Sequence, residues 1–213
     1  MSADDLHTIC QALPIFPLPR VVLLPREVLP LHVFEPRYRA LLHEVMESHG
    51  MMGMATLKPG YELAGETHPE IYPELGVGKI VRHQSLPDGR SNILLESVCQ
   101  ARVVRELPTH HPFRLVAAAV QDPASDGLDA AVSRLQSMVL QVGALSPEAT
   151  AEAQRLIALD GVEMAHSLAR KLLDDSDERR AYVGMARTAQ QVDLVCDRLA
   201  RFLTLGVGPV AEA

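Results

Sequence analysis

The chain has 213 residues, of which 47% are apolar, 22% charged and 4% aromatic, with no tryptophan. This composition is typical of a globular protein with a mainly aliphatic core. The formal net charge is −7, from 20 basic and 27 acidic residues. Residues 1–121 contain 11 basic and 13 acidic residues. Neither half therefore has the cationic character that proteins need to neutralise nucleic-acid phosphates, and nucleic acid is an unfavoured partner.

The cysteines and the apolar runs exclude several other classes of protein. Cys10, Cys99 and Cys196 are too few and too scattered for a disulfide framework or a Cys-x-x-Cys zinc site. The amino terminus contains Asp4 and Asp5 and then several prolines, which does not match a signal peptide. No apolar run reaches the roughly 20 residues that span a bilayer. We expect a cytoplasmic protein without a membrane anchor, metal or cofactor.

The distribution of proline divides the chain into two parts. Twelve of the fifteen prolines lie at or before Pro112. Because proline is excluded from helix interiors but suits turns and strand edges, the first part is predicted to be strand-rich and the second helical. The sequence thus predicts an α+β protein with a β-rich domain over residues 1–121 and an all-α domain of about five helices over 122–213.

Several elements of the first part can be predicted in chain order. Apolar or alternating runs at 13–18, 29–34, 50–57 and 113–120 predict strands. Glu35-Pro36 predicts a helix start, since proline is favoured at the first helical position. The polar, proline-containing stretch 58–75 predicts a long loop. Pro87-Asp88-Gly89 between two apolar runs predicts a β-hairpin, because glycine and aspartate suit a tight reversal.

The second part has helical periodicity and helix-capping signals. Ser146-Pro147-Glu148 predicts a helix start. Asp160 to Glu163 and Thr188 to Gln191 have the spacing of capping boxes, and Ser176 could cap a further helix. Gly206 is a suitable end for the last helix.

The residue patterns of common catalytic sites are incomplete in this chain. The string PELGVGKI at 73–80 lacks the first glycine and the hydroxyl of a phosphate-binding loop. In HEVME at 43–47, Glu47 stands where a zinc protease helix needs its second histidine. There is no Gly-x-Ser-x-Gly sequence. These observations give no positive indication of an enzyme.

Two groups of residues remain as candidate binding residues. Arg37 and Tyr38, next to Glu35, form a polar group where a strand meets a helix, although a carboxylate at a helix start is often structural. Met51, Met52 and Met54 could line an adaptable peptide-binding surface, although a buried core strand is the favoured explanation of them. We name Arg37, Tyr38, Met51 and Met52 as candidates for binding.

Three strings together resemble one known family. They are LPIFPLPRVVLLPREVLPLHVFEPRYRALL, followed by GVGKI and then LPDGRSNILL. In this order they resemble the substrate-binding amino-terminal domain of Lon proteases, and more narrowly the stand-alone bacterial proteins that carry this domain without the ATPase and protease domains. The resemblance is clearest over residues 13–120 and extends to the helical part.

The resemblance implies both a fold and a function. The implied fold is a PUA-like β pseudo-barrel with one helix, followed by a helical bundle. The implied function is non-catalytic binding of protein or peptide clients in protein quality control, such as recognition of unfolded segments or an adaptor role, with self-association open. Two alternatives remain: RNA binding, because PUA-like barrels in other families bind RNA, and a small-ligand protein or enzyme with an unrecognised site.

Overall fold

The computed structural model describes residues 3–60 and 69–205. Within these residues the protein contains seven helices and one six-stranded sheet, so the predicted α+β class is confirmed. The chain forms two compact units, 1–122 and 123–213, which are described separately below. No helix among the described residues is both long and apolar enough to cross a membrane.

Unit 1 contains all the strands and two helices. In chain order these are α1 (Ala3–Cys10), β1 (Leu13–Pro19), β2 (Val28–Val33), α2 (Pro36–Glu47), β3 (Met51–Leu57), β4 (Ile71–Ser85), β5 (Ser91–Leu107) and β6 (Arg114–Val120). The strand order is β2-β5-β4-β3-β1-β6, and β5 also pairs with β6. Strand β5 pairs with β4 along one edge and with β2 and β6 along the other. The closed ring therefore consists of β1, β3, β4, β5 and β6, and β2 stays at an edge.

The hairpin and the start of α2 agree with the sequence prediction. The Leu86 amide donates to the Arg90 carbonyl, and Gly89 has a φ of 78°, which glycine adopts without strain. The Asp88 carboxylate accepts a hydrogen bond from the Arg90 amide at 3.1 Å. Pro36 is the first helical residue of α2, as predicted.

Two features of unit 1 differ from the prediction. Helix α1 was not predicted, and its Cys10 is completely buried against the sheet. Strand β4 begins at Ile71, inside the predicted loop 58–75, of which residues 61–68 lie outside the described part. The β3–β4 register is irregular between Ala55 and Leu57, opposite Pro73. An irregular register tolerates a residue without an N–H, so Pro73 does not interrupt the strand.

Strand β3 is covered on both faces. Strand β3 contributes Met52 and Met54 to a core cluster that includes the buried stripe of α2, namely Tyr38, Leu41, Leu42 and Val45. The same strand contributes Met51 and Ala55 to a second cluster, which includes Cys10 of α1. Since successive residues of a strand point to opposite faces, β3 is buried on both sides, and this explains its run of apolar residues.

The segment 20–27, which connects β1 to β2, crosses the sheet in close contact with its backbone. The Thr56 hydroxyl donates to the Val21 carbonyl at 2.6 Å, and the Gln100 side-chain amide donates to the Leu23 carbonyl at 3.3 Å. Between them, a Cβ at Gly76 would lie 2.5 Å from the Leu23 carbonyl oxygen. Arg20 and Arg26 bound the segment with left-handed φ values of 58° and 61°. Only a glycine on β4 allows this crossing.

Unit 2 contains five helices. They are α3 (Leu128–Gly143), α4 (Pro147–Ile157), α5 (Gly161–Leu172), α6 (Ser176–Val183) and α7 (Thr188–Leu205). Helix α3 packs against α4 and α7, and α5 packs against α7. Tyr182 is completely buried, and its hydroxyl lies 2.7 Å from Nδ1 of His166. The predicted helix end at Gly206 lies outside the described residues.

Two of the four predicted helix starts of unit 2 have the expected cap and two do not. Ser146 accepts a hydrogen bond from the Ala149 amide, and Asp160 accepts from the Val162 and Glu163 amides. The cap of α6 is Asp175 rather than Ser176, because the aspartate has the extended backbone of a capping residue. Gln191 does not close a capping box with Thr188; its buried side-chain amide donates to the Tyr182 carbonyl at 2.9 Å.

The crossing segment gives a first prediction. Gly76→Ala forces a methyl group against the Leu23 carbonyl, so the backbone must shift, and we expect the free energy of unfolding to fall by about 1–3 kcal/mol. The control is Val81→Ala, at a half-exposed position of the same strand. This substitution should change the free energy of unfolding by about 0.5 kcal/mol or less. Urea unfolding monitored by circular dichroism measures both, and equal effects would contradict the close approach.

The buried methionines give a second prediction. Met52 is completely buried, whereas Met46 on α2 is 45% exposed. Met52→Ser removes buried apolar volume and should lower the free energy of unfolding by about 2–5 kcal/mol. Met46→Ser makes the same chemical change at the surface and should cost about 0.5 kcal/mol or less. Thermal unfolding of the two variants decides whether β3 is buried as described.

Candidate interaction surface on unit 1

The structure places the predicted residues Arg37 and Tyr38 where α2 joins the sheet. Both Nε and Nη2 of Arg37 lie 2.9 Å from Oε2 of Glu35, and its guanidinium lies 4.5 Å from the centre of the Tyr38 ring. The Tyr38 hydroxyl donates to the Pro17 carbonyl at 3.0 Å, and its ring centre is 3.9 Å from that of Phe16. Burial raises the pKa of Tyr38. Tyr38 thus fastens α2 to β1.

The predicted residues Met51 and Met52 lie in the core. Both have no exposed surface, and Tyr38 is only 4% exposed. Of the four candidate binding residues, Arg37 alone has a partly exposed side chain, at 43%. Its guanidinium is already engaged by Glu35 and Tyr38. The four residues are not brought together on one surface, and their part in binding stays a prediction.

A different set of side chains forms an open surface around β2. In the cross-strand register, Pro30, Leu94 and Arg82 form one row, and His32, Asn92 and Gln84 form the next. These six residues, together with parts of Leu31 and Ile93, line a cleft of about 400 Å³. We call this set the β2 surface. The alternate residues Leu29 and Leu31 pack against the core, so the β2 surface is the outer face of the three strands.

Apolar side chains extend the β2 surface beyond the cleft. Phe34 follows β2 and is 57% exposed, and its ring centre lies 5.9 Å from that of His32. Val28, at the other end of the strand, is 47% exposed. An exposed aromatic ring beside the cleft suits an interaction surface, because aromatic residues are enriched at interfaces.

A chain of polar contacts fixes the hairpin turn to β2. Nε of Arg90 donates to Oδ2 of Asp88 at 2.6 Å, and Nη1 of Arg90 lies 3.4 Å from Nε2 of His32. Nδ1 of His32 is 2.7 Å from Oδ1 of Asn92. Hydrogen bonds from Arg90 lower the pKa of Asp88.

Arg82 has no hydrogen-bond or ion-pair partner among residues 3–60 and 69–205, so it contributes an available positive charge.

The backbone of β2 has hydrogen-bonding groups that no other strand uses among residues 3–60 and 69–205. The Ser97 amide donates to the Glu27 carbonyl at 2.8 Å, and this pair continues the β2–β5 register. Because antiparallel pairs alternate between bonded and non-bonded, Leu29, Leu31 and Val33 point their backbone groups toward β5. Val28, Pro30 and His32 point theirs away from β5, to an edge that pairs with no described strand.

A second cleft lies on the opposite side of the hairpin. Its residues come from α2 (Arg39, Leu42, His43, Met46 and Glu47) and from the hairpin (His83, Gly89 and Ser91), and its volume is about 360 Å³. His43 and Glu47, the first and last residues of the HEVME string, lie 3.5 Å apart on the exposed face of α2. No group of three or more metal-binding side chains occurs among the described residues.

The β2 surface contains residues that the sequence did not identify as binding residues. The alternation of Pro30, His32 and Phe34 on one face of β2 is visible in the sequence. The contacts of His32 with Asn92 and Arg90, about 60 positions later, depend on which strand pairs with β2. Strand pairing between distant segments has no local signal in a single sequence.

Comparison with known proteins identifies relatives over most of the chain. The family model for the ATP-dependent protease La (LON) substrate-binding domain matches residues 12–201. The Lon protease of Azorhizobium caulinodans is 24% identical over 196 residues, which is 88% of this chain and 22% of the relative. Lon protease 2 of Bdellovibrio bacteriovorus is 27% identical over 181 residues, which is 84% of this chain and 21% of the relative. The chain thus spans about a fifth of the length of these curated relatives.

Two solved structures have a similar fold. The Lon N-terminal domain protein from Xanthomonas campestris matches with a TM-score of 0.63 and 20% identity, covering 87% of this chain and 97% of that structure. The N-terminal domain of the Mycobacterium avium complex Lon protease matches with a TM-score of 0.68 and 12% identity, covering 89% of this chain and 98% of that structure. Because the family model extends over residues 12–201, the chain belongs to the family of Lon substrate-binding domains.

Proposed function

We propose that this chain is a non-catalytic module that binds segments of other proteins, including unfolded ones. The family match over residues 12–201 carries the proposal, because that family is described by substrate binding. The proposed setting is protein quality control in the cytoplasm, either as an adaptor or as part of a larger assembly. This role requires an exposed surface suited to polypeptide rather than a set of reacting groups.

The β2 surface supports this proposal through its chemistry. Phe34 and Val28 can cover apolar side chains of a client protein, and Arg82, Gln84 and Asn92 can pair with its polar groups. The surface is open and shallow, so it suits a weak, reversible interface rather than a tight one. Its mixture of apolar and polar side chains also resembles the general composition of transient interfaces.

The finer fold assignment is part of the same proposal. We propose that the five closed strands of unit 1, together with β2, form a PUA-like pseudo-barrel, and that α3 to α7 form a helical bundle. Pairing of β5 with both β4 and β6 supports the first assignment. We also propose that residues 1–121 and 122–213 act as separate domains.

The proposal predicts selective binding to unfolded protein. A reduced, carboxymethylated model protein with a fluorescent label should bind the purified chain with a Kd in the micromolar range, and its native form should not. Fluorescence anisotropy measures both. Absence of binding to the unfolded form, together with salt-sensitive binding to single-stranded RNA at low ionic strength, would overturn the proposal in favour of an RNA-binding protein.

A pair of matched variants tests whether the β2 surface is the binding site. Phe34 is 57% exposed in unit 1 and Leu140 is 58% exposed in unit 2. Phe34→Ser should weaken binding of the unfolded protein about tenfold, the loss expected for a large apolar contact. Leu140→Ser removes a similarly exposed side chain and should leave the Kd unchanged. Equal effects of the two substitutions would exclude the β2 surface.

A further inference from the structure

The backbone along the free edge of β2 has a specific hydrogen-bonding pattern. Val28 and His32 each present an N–H and a C=O away from β5, and Pro30 between them presents only a C=O. Residues two apart in a strand are separated by about 6.8 Å, which is also the spacing of the groups that another extended chain presents. The edge therefore offers two donors and three acceptors at the spacing of a neighbouring strand.

The exposure of β2 shows that this edge is accessible. Val28, Pro30 and His32 are exposed, and Leu29 and Leu31 are only partly buried although they face the core. Strand β2 has six residues, a length at which a complete ladder can form. Exposed edges of this kind are the sites at which proteins add a further strand from a partner.

We propose that β2 binds an extended segment of a client protein as an added β-strand along its free edge. The inference rests on the proposed function and specifies how the client is held. Main-chain hydrogen bonds to Val28, Pro30 and His32 provide the common part of the interaction. Alternate side chains of the client contact Val28, Pro30 and Phe34 on the outer face.

The side chains beside the edge define the kind of segment that fits. On the outer face of β2 itself, Val28, Pro30 and Phe34 are apolar and His32 is polar, and Leu29 and Leu31 on the inner face are apolar. Cross-strand contacts with aliphatic and aromatic residues favour β-branched or aromatic partners on both faces. The occupant is thus an extended segment rich in such residues, which folded proteins bury and unfolded proteins expose.

Pro30 favours a client segment over a second copy of the same edge. Two β2 strands could pair with each other in an antiparallel arrangement centred on Pro30. Neither Pro30 has an N–H to donate, so two of the six possible backbone hydrogen bonds between the strands are lost. A client with an ordinary residue opposite Pro30 loses only one, because its own N–H can reach the Pro30 carbonyl. Proline is also a common device by which edge strands avoid self-association.

The decisive comparison removes one backbone donor while controlling for the side chain. His32→Pro removes the outward N–H and the imidazole, whereas His32→Ala removes only the imidazole. We expect His32→Pro to weaken binding of the carboxymethylated protein about tenfold relative to His32→Ala, the effect of one lost hydrogen bond. Equal Kd values for the two variants would overturn the added strand, and the proposed function would still hold if both bound the client.

Hydrogen exchange on the unsubstituted protein provides a test that does not depend on a variant folding. When the client binds, exchange of the Val28 and His32 amides should slow, whereas the Leu29 and Leu31 amides are already protected by β5. Unchanged exchange at Val28 and His32 in the presence of saturating client would overturn the inference. Slowing that depends on protein concentration without any client would assign the edge to a second copy and overturn it as well.

Discussion

The contact between the Leu23 backbone and Gly76 determines how unit 1 is assembled. The chain leaves β1, crosses the sheet over β3, β4 and β5, and begins β2 on the far side of β5. Without the space left by a glycine, segment 20–27 would be displaced outward. That displacement would strain the connection to β2, which pairs with the amino-terminal half of β5, and to α2, whose Tyr38 and Leu41 fill the apolar face.

This route also explains why one strand stays at an edge. Strand β5 has 17 residues, and its second edge is shared by β2 near its start and by β6 near its end. Strands β1, β3, β4, β5 and β6 pair with one another in a closed ring, although β4 extends past its pairing with β3, which ends at Lys79. Among the described strands, β2 pairs only with β5, so its second edge is unused along the whole strand, beside the exposed Phe34. Recognition of backbone rather than of particular side chains suits a module that meets many different clients.

Local features of this fold could be predicted from the sequence, and long-range ones could not. The Pro87-Asp88-Gly89 turn, the start of α2 at Pro36 and the caps at Ser146 and Asp160 depend on a few neighbouring residues, and each was predicted correctly. Burial of Met51 and Met52 depends on two separate elements that cover the opposite faces of β3. The β2 surface depends on pairing between β2 and β5, which are about 60 residues apart. No single segment contains that information.

The pairing of β1 with β6 has a consequence for synthesis of the chain. Leu13 pairs with Val116, so the strands that close the sheet are made at opposite ends of unit 1. At 5–20 residues per second, a ribosome needs on the order of 5–20 s to make the roughly 100 residues between them. During that interval β1 and β3, both rich in aliphatic residues, lack their final neighbours. Such nonlocal topologies fold slowly and are open to aggregation, so the nascent chain itself passes through a state in which apolar strands are exposed to other proteins.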